Sequence, residues 1–225
     1  RGANSVVVFA QVAADAFAAP LARRHALWGL GQLSATDKNA LAPVRTLLRD
    51  RDAEVRAQAI KVLGDHHVAG DAAAFAAALK DDSHRVKFFA AQGLGKLKRG
   101  ARPELADRAD TSALLVALRA NNNEDHTLRH AIVMGLVGGN NLPALSAAIT
   151  DASPAVRLGV LLALRRLKGP AIAKFLADSD PYLVREAALA INDEPVTPAQ
   201  PALAALRPGA APLPGAATPS SRGLV

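Results

Sequence analysis

The sequence contains no cysteine, and aromatic residues make up only 4% of the chain. Without cysteine, these residues cannot form a disulfide bond, a cysteine-ligated zinc site, a catalytic thiol or a covalent haem attachment. A membrane-spanning helix needs an apolar run of roughly 18 residues or more, and none is present. Alternating runs rich in Val, Ile and Thr, which are typical of strands, are missing as well. We therefore expect no sheet.

Alanine and leucine carry most of the apolar content, which is 50% of the 225 residues. Both are strong helix formers, and small side chains allow helices to pack closely. A chain of this length can bury a sizeable core, either as one domain or as two small ones. The composition therefore favours an all-α protein built from closely packed helices.

The segment from Asp151 to Leu167 shows the pattern around which the chain is organised. Ser153 is placed to cap a helix, and Pro154 to occupy its first position, where a missing N–H costs nothing. The apolar side chains fall on one stripe of this helix, and the arginines lie largely off it. The stripe consists of Val156, Val160, Ala163, Leu164 and Leu167, and the arginines are Arg157, Arg165 and Arg166. We interpret the segment as an amphipathic helix.

The same phrase, a Val-Arg pair that leads an apolar helix, recurs along the chain at intervals of 28 to 42 residues. Its copies are Val55-Arg56, Val86-Lys87, Leu128-Arg129, Val156-Arg157 and Val184-Arg185, with a weaker first copy at Ala22-Arg23. Such a period is typical of a solenoid, in which each unit buries its apolar face only against its neighbours. The sequence predicts an α-solenoid of about six helical hairpins.

Capping and breaking residues give the bounds of the predicted helices. These segments are 5–18, 21–33, 37–48, 52–63, 71–79, 83–97, 111–119 and 125–137, followed by two compact units at 141–167 and 169–192. Asp37, Asp52 and Ser83 are predicted N-caps, and Gly64 is a predicted helix stop. The longest interval holds a basic turn at 98–103, which we expect to extend a loop on one face.

From Glu194 onward the pattern breaks, because proline occurs seven times in the last 32 residues. Proline blocks helix continuation, and such a segment buries too little surface to offset the entropy lost on ordering. We expect a repeat domain at 1–193 and a Pro/Ala-rich linker or tail at 194–225, with room for one or two helical turns at 202–206. The start at Arg1 does not resemble a signal peptide, and we expect a piece of a longer chain.

Over residues 20–193 the repeated phrase resembles the HEAT-like repeat family, in the short-period form of phycobilisome-lyase-type repeats. The resemblance rests on an Asp or Asn about six positions before the basic residue of each pair. These pairs are Asp50 with Arg56, Asp81 with Lys87, Asn123 with Arg129, Asp151 with Arg157 and, at a spacing of seven, Asp178 with Arg185.

The resemblance implies that these residues form a structural ladder. Each Asp would accept backbone N–H groups, and each Arg would pair with a neighbouring unit. A carboxylate near a helix N-terminus also meets unsatisfied donors and a favourable dipole. The alternative interpretation of the same charges is a binding stripe.

Residues 178–206 carry a narrower resemblance, to large haem-binding, membrane-bound dehydrogenases. Its specific part is the run EAALAINDEP, from Glu186 to Pro195. Those proteins join a glucose/sorbosone-dehydrogenase-like propeller, a HEAT-repeat segment and a cytochrome c-like domain. The resemblance implies a scaffold inside such a parent protein and a periplasmic or exported location. It carries over no catalytic residue, and this chain departs from the family after Leu206.

Two histidines, His126 and His130, have the i, i+4 spacing of a possible metal site. His126 and His130 lie on one helix face, with Glu124 and Asp125 beside them. Zinc usually needs three or four protein ligands, and no further ligand points to this position. The structural interpretation is a polar cap beside exposed histidines, and we predict no metal site.

The other candidate residues have structural interpretations as well. His66 and His67 read as surface residues of a turn, Asp81-Asp82 as a helix cap, and Trp28 as a core residue. The glycines at 93–95 and 135–139 follow no strand, so they indicate close helix packing and C-caps instead of a phosphate loop. The sequence predicts no catalytic and no cofactor-binding residue.

The formal charge of +7 and the pI near 10.2 raise the question of whether the protein binds an acidic partner or nucleic acid. Basic clusters occur at Arg23-Arg24-His25, at Lys96, Lys98, Arg99 and Arg102, and at Arg165-Arg166-Lys168. Such a surface can bind phosphates, but one Trp and one Tyr are a poor supply for stacking on bases. We predict a non-catalytic, right-handed HEAT-like scaffold that binds a protein partner or adjacent domains of its own chain. The alternatives are a free-standing basic adaptor and a nucleic-acid binder.

Overall fold

The computed structural model describes residues 2–67, 69–97, 107–193 and 196–206. Within these ranges the regular structure is helical and no strand occurs. The α-helices are α1 (Gly2–Ala14), α2 (Pro20–Leu33), α3 (Leu41–Thr46), α4 (Ala53–Asp65), α5 (Ala72–Ala78), α6 (His84–Leu97), α7 (Asp107–Asn121), α8 (His126–Gly139), α9 (Leu142–Ala147), α10 (Pro154–Leu167), α11 (Pro181–Asp193) and α12 (Gln200–Ala204). Short 3₁₀ segments lie at Lys38–Ala40, Leu47–Arg49, Ala69–Asp71, Ala148–Thr150, Pro170–Ala177 and Thr197–Ala199.

The helices stack in two layers. The first-helix layer contains α1, α3, α5, α7, α9 and the 3₁₀ segment Pro170–Ala177. The second-helix layer contains α2, α4, α6, α8, α10 and α11, each of which packs against the next. Each second helix also packs against the first helix of its own repeat. The predicted all-α solenoid is confirmed.

Side-chain caps define where the second helices begin. Asp52 accepts a hydrogen bond from the Glu54 N–H, and Asp125 accepts one from the Leu128 N–H. Ser153 caps α10, whose first residue is Pro154. These side chains satisfy N–H groups that have no partner within the helix. The caps are local in sequence, which is why the sequence predicts them.

The core is continuous along the array and consists mostly of Leu, Val, Ile and Ala. The predicted stripe of α10 is buried, since Val156, Val160, Ala163 and Leu164 are each 0% exposed. Phe75 and Phe175 are the largest fully buried side chains among the described residues. Each repeat therefore contributes one apolar face to a core that it shares with its neighbours.

Glycine allows α4, α6 and α8 to approach closely. A Cβ added to Gly64 would lie 3.1 Å from the Gly93 Cα, and one added to Gly95 would lie 2.9 Å from the Gly135 Cα. The prediction of close packing at 93–95 and 135 is confirmed. The prediction of Gly64 as a helix stop is wrong, because α4 continues through Asp65.

The end of helix α8 differs from the prediction. Helix α8 runs through Gly139, and the left-handed residue after it is Asn140, with φ of 50°. Helix α10 ends at Leu167, as predicted, and is likewise followed by a left-handed residue, Lys168, with φ of 52°. The glycines at 138 and 139 therefore lie inside the helix and do not cap it.

The first-layer segments are shorter and tighter than predicted. Helix α1 ends at Ala14 instead of residue 18, and Pro170–Ala177 is 3₁₀ throughout. Helix α7 is the exception, because it starts at Asp107 instead of residue 111. A segment as short as Pro170–Ala177 gains little from α-helix propagation, and 3₁₀ geometry is common in such pieces.

Residues 196–206 pack against the last repeat. Val196 is 1% exposed and Ala199 is 0% exposed, and both α12 and the turn before it contact Pro170–Ala177. The helical turn expected at 202–206 lies slightly earlier, at Gln200–Ala204. The predicted basic turn at 98–103 and the tail beyond residue 206 lie outside the described residues. None of the described helices is long and apolar enough to cross a bilayer.

Candidate functional site

The aspartates of the predicted ladder share one local geometry. In each, Oδ1 accepts a hydrogen bond from the backbone N–H two residues later, at 2.8 to 2.9 Å. The four residues are Asp50, Asp81, Asp151 and Asp178. This turn holds each carboxylate at the entrance of a second helix, with Oδ2 free to accept from elsewhere.

Arg56 connects two of these turns. Its Nε and Nη2 each donate to a different carboxylate oxygen of Asp81 at 2.8 Å, and its Nη1 donates to the Asp50 carbonyl at 2.8 Å. The hydrogen bonds from Arg56 hold the pKa of Asp81 below its ordinary value, and those to Asp81 raise the pKa of Arg56. One guanidinium therefore fixes the register between consecutive repeats.

Arg157 makes the same connection between Asp151 and Asp178. Arg23, the basic residue of the weak first copy, is buried and forms a bidentate ion pair with Asp50. Burial raises the pKa of Asp50, but hydrogen bonds from Arg23 and from the Asp52 N–H outweigh it and lower that pKa.

The remaining predicted ladder residues are placed differently. Among the side chains of the described residues, Arg129 donates to Asn123 of its own repeat, with Nη1 to Oδ1 at 3.5 Å. Asp151 is instead paired with Arg119 of α7, at 2.6 Å. Lys87 forms no ion pair with the described residues. Arg185 is exposed and lies 3.7 Å from its neighbour Glu186.

Trp28 is not a core residue, and the prediction that placed it there is wrong. Its side chain is 43% exposed, and Nε1 donates to Oε1 of Gln58 at 2.8 Å. The His25 ring packs edge-on against the indole, with the ring centroids 5.1 Å apart. Alignment of the Ala22-Arg23 copy on Val55-Arg56 would have revealed this, because it places Trp28 at the exposed position of Lys61.

A hydrogen-bonded network continues from Trp28 across three second helices. Gln58 donates from Nε2 to Oε1 of Glu54 at 2.7 Å, and Arg85 donates from Nε to Oε2 of Glu54 at 2.7 Å. The Arg85 guanidinium lies 5.1 Å from the centroid of the Phe89 ring. We call Trp28, Glu54, Gln58, Arg85 and Phe89 the aromatic–arginine surface.

This surface is hydrogen-bonded throughout its polar part and is partly exposed. The Gln58 side chain is buried and uses both ends of its amide, while the Arg85 side chain is 56% exposed. Both Trp28 and Arg85 have a hydrogen-bond partner on α4. Trp and Arg are enriched at interface positions that carry most of the binding free energy. No pattern in the sequence marks these residues as a group, since Trp28 and Gln58 are 30 positions apart.

The histidines do not form a cluster with the acidic residues beside them. His126 and His130 are exposed. Asp125 caps helix α8 through Oδ1, and its Oδ2 lies 2.8 Å from Nδ1 of His84. The Leu128 N–H is the main cause of the lowered pKa of Asp125, and His84 adds to it. No group of three or more metal-binding side chains lies together in the described ranges.

His66 lies in a partly buried setting, unlike the surface position that the sequence suggested. Its ring nitrogens are 3.0 and 3.1 Å from the hydroxyl of Ser34, which is fully buried. Burial, followed by the charge of Lys38, lowers the pKa of His66. The Ser34 hydroxyl also donates to the Gly31 carbonyl at 2.7 Å, so the pair connects α2 to the end of α4.

The basic clusters are partly neutralised. Arg23 is committed to Asp50, and Lys96 lies 2.5 Å from Asp65, which also accepts from Lys61 at 2.8 Å. Arg165 lies 3.9 Å from Asp193. Residues 98, 99 and 102 of the central cluster lie outside the described residues.

Comparison with known proteins supports a HEAT-like repeat protein. The family model described as HEAT repeats matches residues 9–95. No curated protein matches the sequence. Among solved structures, the CpcE–CpcF complex of phycocyanin lyase from Nostoc sp. PCC7120 aligns at 18% identity and a TM-score of 0.53, over 83% of this chain and 75% of that chain.

Two engineered proteins have a similar fold. A designed armadillo repeat protein, solved in complex with the peptide (KR)4, aligns at 16% identity and a TM-score of 0.51, over 83% of this chain and 98% of that one. An engineered protein from the Northeast Structural Genomics Consortium aligns at 16% identity and a TM-score of 0.51, over 84% of this chain and 96% of that chain. These similarities establish the solenoid fold.

Proposed function

We propose that this protein is a non-catalytic scaffold that binds a protein partner through the aromatic–arginine surface. The observation that carries the proposal is the network from Trp28 through Gln58 and Glu54 to Arg85, which spans three consecutive repeats. It presents an indole and a guanidinium in fixed positions, so little side-chain entropy is lost on binding. The designed armadillo protein that holds a peptide supports the use of such a stack for peptide binding.

A capture experiment followed by a direct measurement tests this proposal. The wild-type chain and the variants Trp28→Ala, Arg85→Ala and Tyr182→Ala are immobilised, and proteins retained from the source organism's lysate are quantified. Tyr182 is the matched control, since it is an exposed aromatic residue on the distant helix α11. The partner is then purified, and its affinity for each variant is measured.

We expect Trp28→Ala and Arg85→Ala each to weaken binding of the purified partner by about tenfold or more, the usual effect of a hot-spot residue. Tyr182→Ala should leave the affinity nearly unchanged. If all variants bind the partner equally, the surface is not the binding site. If retention by the wild type is confined to nucleic acid and disappears on raising the salt, the nucleic-acid alternative replaces this proposal.

We further propose that the scaffold is part of a larger haem-binding dehydrogenase-like protein. The support is the resemblance of residues 178–206, which in the structure include α11 and the packed segment after it. The reading frame on both sides of the chain tests this. A propeller-like region upstream and a Cys-x-x-Cys-His motif downstream would support the parent protein, and a frame that encodes only repeats would contradict it.

A further inference from the structure

At the junction between α6 and α8 the ladder positions form no ion pair among the described residues, whereas at the junction between α8 and α10 Arg119 pairs with Asp151 in place of Arg129. At the junction between α4 and α6, Arg56 binds Asp81 with two hydrogen bonds. One repeat later, the residues at the corresponding positions are Lys87 and Asn123. A lysine cannot form the two-pronged contact, and an amide offers no charge to pair with. Lys87 is therefore a half-buried cation without an ion-pair partner among the described residues.

Lys87 lies at the wall of a groove between α5 and α7. The groove floor is apolar and consists of Leu79, Ala113, Val116 and Ala117. Val116 is 49% exposed, although it is a large apolar side chain within a helix. Lys80 is the second cation on the wall of the groove. The groove therefore combines exposed apolar surface with two ammonium groups.

None of the nearby acidic groups among the described residues forms an ion pair with Lys87 or Lys80. Asp81 acts on Lys87 only at a distance, since both of its oxygens are used by Arg56. Asp125 is occupied by His84 and by its cap. Glu124 lines the adjoining end of the groove and is exposed to solvent. The chain as a whole carries a formal charge of +7, so an acidic ligand is favoured at long range as well.

We propose that this groove binds an acidic, partly apolar peptide segment of a partner protein. A carboxylate of that segment pairs with Lys87 and takes the place that the ladder aspartate has at the preceding junction. Apolar side chains of the segment cover Val116 and the alanines beside it, and Lys80 contacts a second acidic group. This site is separate from the aromatic–arginine surface, so either proposal can fail while the other stands.

Selection of peptides tests the proposal with a defined probe. A library of random peptides of roughly a dozen residues is panned on the wild-type chain and, in parallel, on the Lys87→Glu variant. We expect peptides enriched only on the wild type to contain Asp or Glu together with apolar residues. The best of them, made synthetically, should bind Lys87→Gln and Lys80→Gln about tenfold more weakly, as expected for loss of one partly desolvated ion pair.

Three controls separate binding from folding. Lys174→Gln, an exposed lysine of Pro170–Ala177, should bind the peptide as the wild type does. A peptide with its Glu changed to Lys should regain affinity for Lys87→Glu, a rescue that a purely structural defect would not allow. The double variant Lys87→Arg, Asn123→Asp places the two charged groups of the ladder at these positions, so it should bind the peptide more weakly.

Several outcomes would overturn the proposal. One is a set of selected peptides without acidic residues. Another is equal affinity for the wild type and Lys87→Gln, or failure of the charge-swapped peptide on Lys87→Glu. A short DNA duplex that binds through Lys87 and Lys80 while no peptide does would assign the groove to nucleic acid instead. Concentration-dependent dimerisation abolished by Val116→Asp would assign it to a second copy of this chain.

Discussion

Arg157 donates from Nε and Nη2 to the two carboxylate oxygens of Asp178 in the next repeat, at 2.9 and 3.1 Å. The two side chains are only 12% and 6% exposed. A third hydrogen bond, from Nη1 to the Asp151 carbonyl at 3.0 Å, anchors the same guanidinium in its own repeat. The pair therefore connects α10 to the start of α11 in a place that water barely reaches.

Removing this arginine should be strongly destabilising. We expect Arg157→Gln to lower the free energy of unfolding by about 3 to 5 kcal/mol, because Asp178 is left buried without its counter-charge. Arg185→Gln is the matched control, since that exposed arginine should contribute only about 0 to 1 kcal/mol. Urea denaturation followed by circular dichroism measures both. Similar losses for the two variants would show that the buried pair has no special weight.

Two adjacent glycines of α8 should respond in opposite ways to alanine. A Cβ at Gly138 would lie 2.3 Å from the Gly95 carbonyl oxygen, a backbone atom that cannot move without shifting α6. Gly138→Ala should therefore cost about 1 to 3 kcal/mol of stability. A Cβ at Gly139 meets nothing within 4 Å, so Gly139→Ala should stabilise the helix by up to about 1 kcal/mol. Thermal unfolding of both variants measures the difference, and a shift in the same direction for both would contradict the packing.

The single tryptophan allows the network at Trp28 to be followed by fluorescence. Gln58 is buried and accepts the hydrogen bond from the indole N–H. We expect Gln58→Ala to increase quenching of Trp28 by acrylamide, because the ring loses the hydrogen bond that fixes it. Gln92→Ala, on α6, is the control and should leave the quenching constant unchanged. An unchanged constant in both variants would mean that other contacts hold the ring.

The stability of the chain should depend on pH through His66. Burial and the charge of Lys38 lower the folded-state pKa of this residue below its ordinary value of 6.5. The unfolded state then binds more protons than the folded state. The contribution of neutral His66 to the free energy of unfolding is therefore fully present above the unfolded-state pKa. It is lost as the pH falls from about 6.5 toward the folded pKa.

Comparison of pH profiles isolates this contribution. We expect the wild type to lose stability as the pH falls below about 6.5, whereas His66→Gln should show a flatter profile over that range. His126→Gln removes an exposed histidine and should retain the wild-type profile. Midpoints of urea denaturation measured at a series of pH values give the comparison. A flat wild-type profile would contradict the role of His66.

Several features could be predicted from the sequence because they depend on neighbouring residues. The Asp50 turn involves a donor two residues away, and the Ser153 cap a donor three residues away. The contact from Arg157 to the Asp151 carbonyl spans six residues. The Val-Arg phrase therefore contains the helix starts, the caps and half of each arginine's contacts. Helix lengths in the first layer were predicted less well, because short segments can adopt 3₁₀ geometry at little cost.

Other features depend on contacts between residues that are distant in sequence. Asp151 is 32 residues from Arg119, which pairs with it although Arg129 matches the repeat pattern. Trp28 and Gln58 are 30 residues apart, so the hydrogen bond between them cannot be predicted from neighbouring residues. The groove beside Lys87 likewise needs both α5 and α7 in place.

The sequence by itself therefore determined the all-α repeat architecture, the second-helix starts and the carboxylate turns, because their hydrogen bonds close within one turn of chain. The tertiary structure alone decided which arginine reaches which aspartate, which side chains the stacked helices bury and where, in the described part of the chain, a cation forms no ion pair. These outcomes depend on the offset between neighbouring helices. That offset is set by the packing of glycine and alanine backbones across the repeats, which a repeat pattern does not specify.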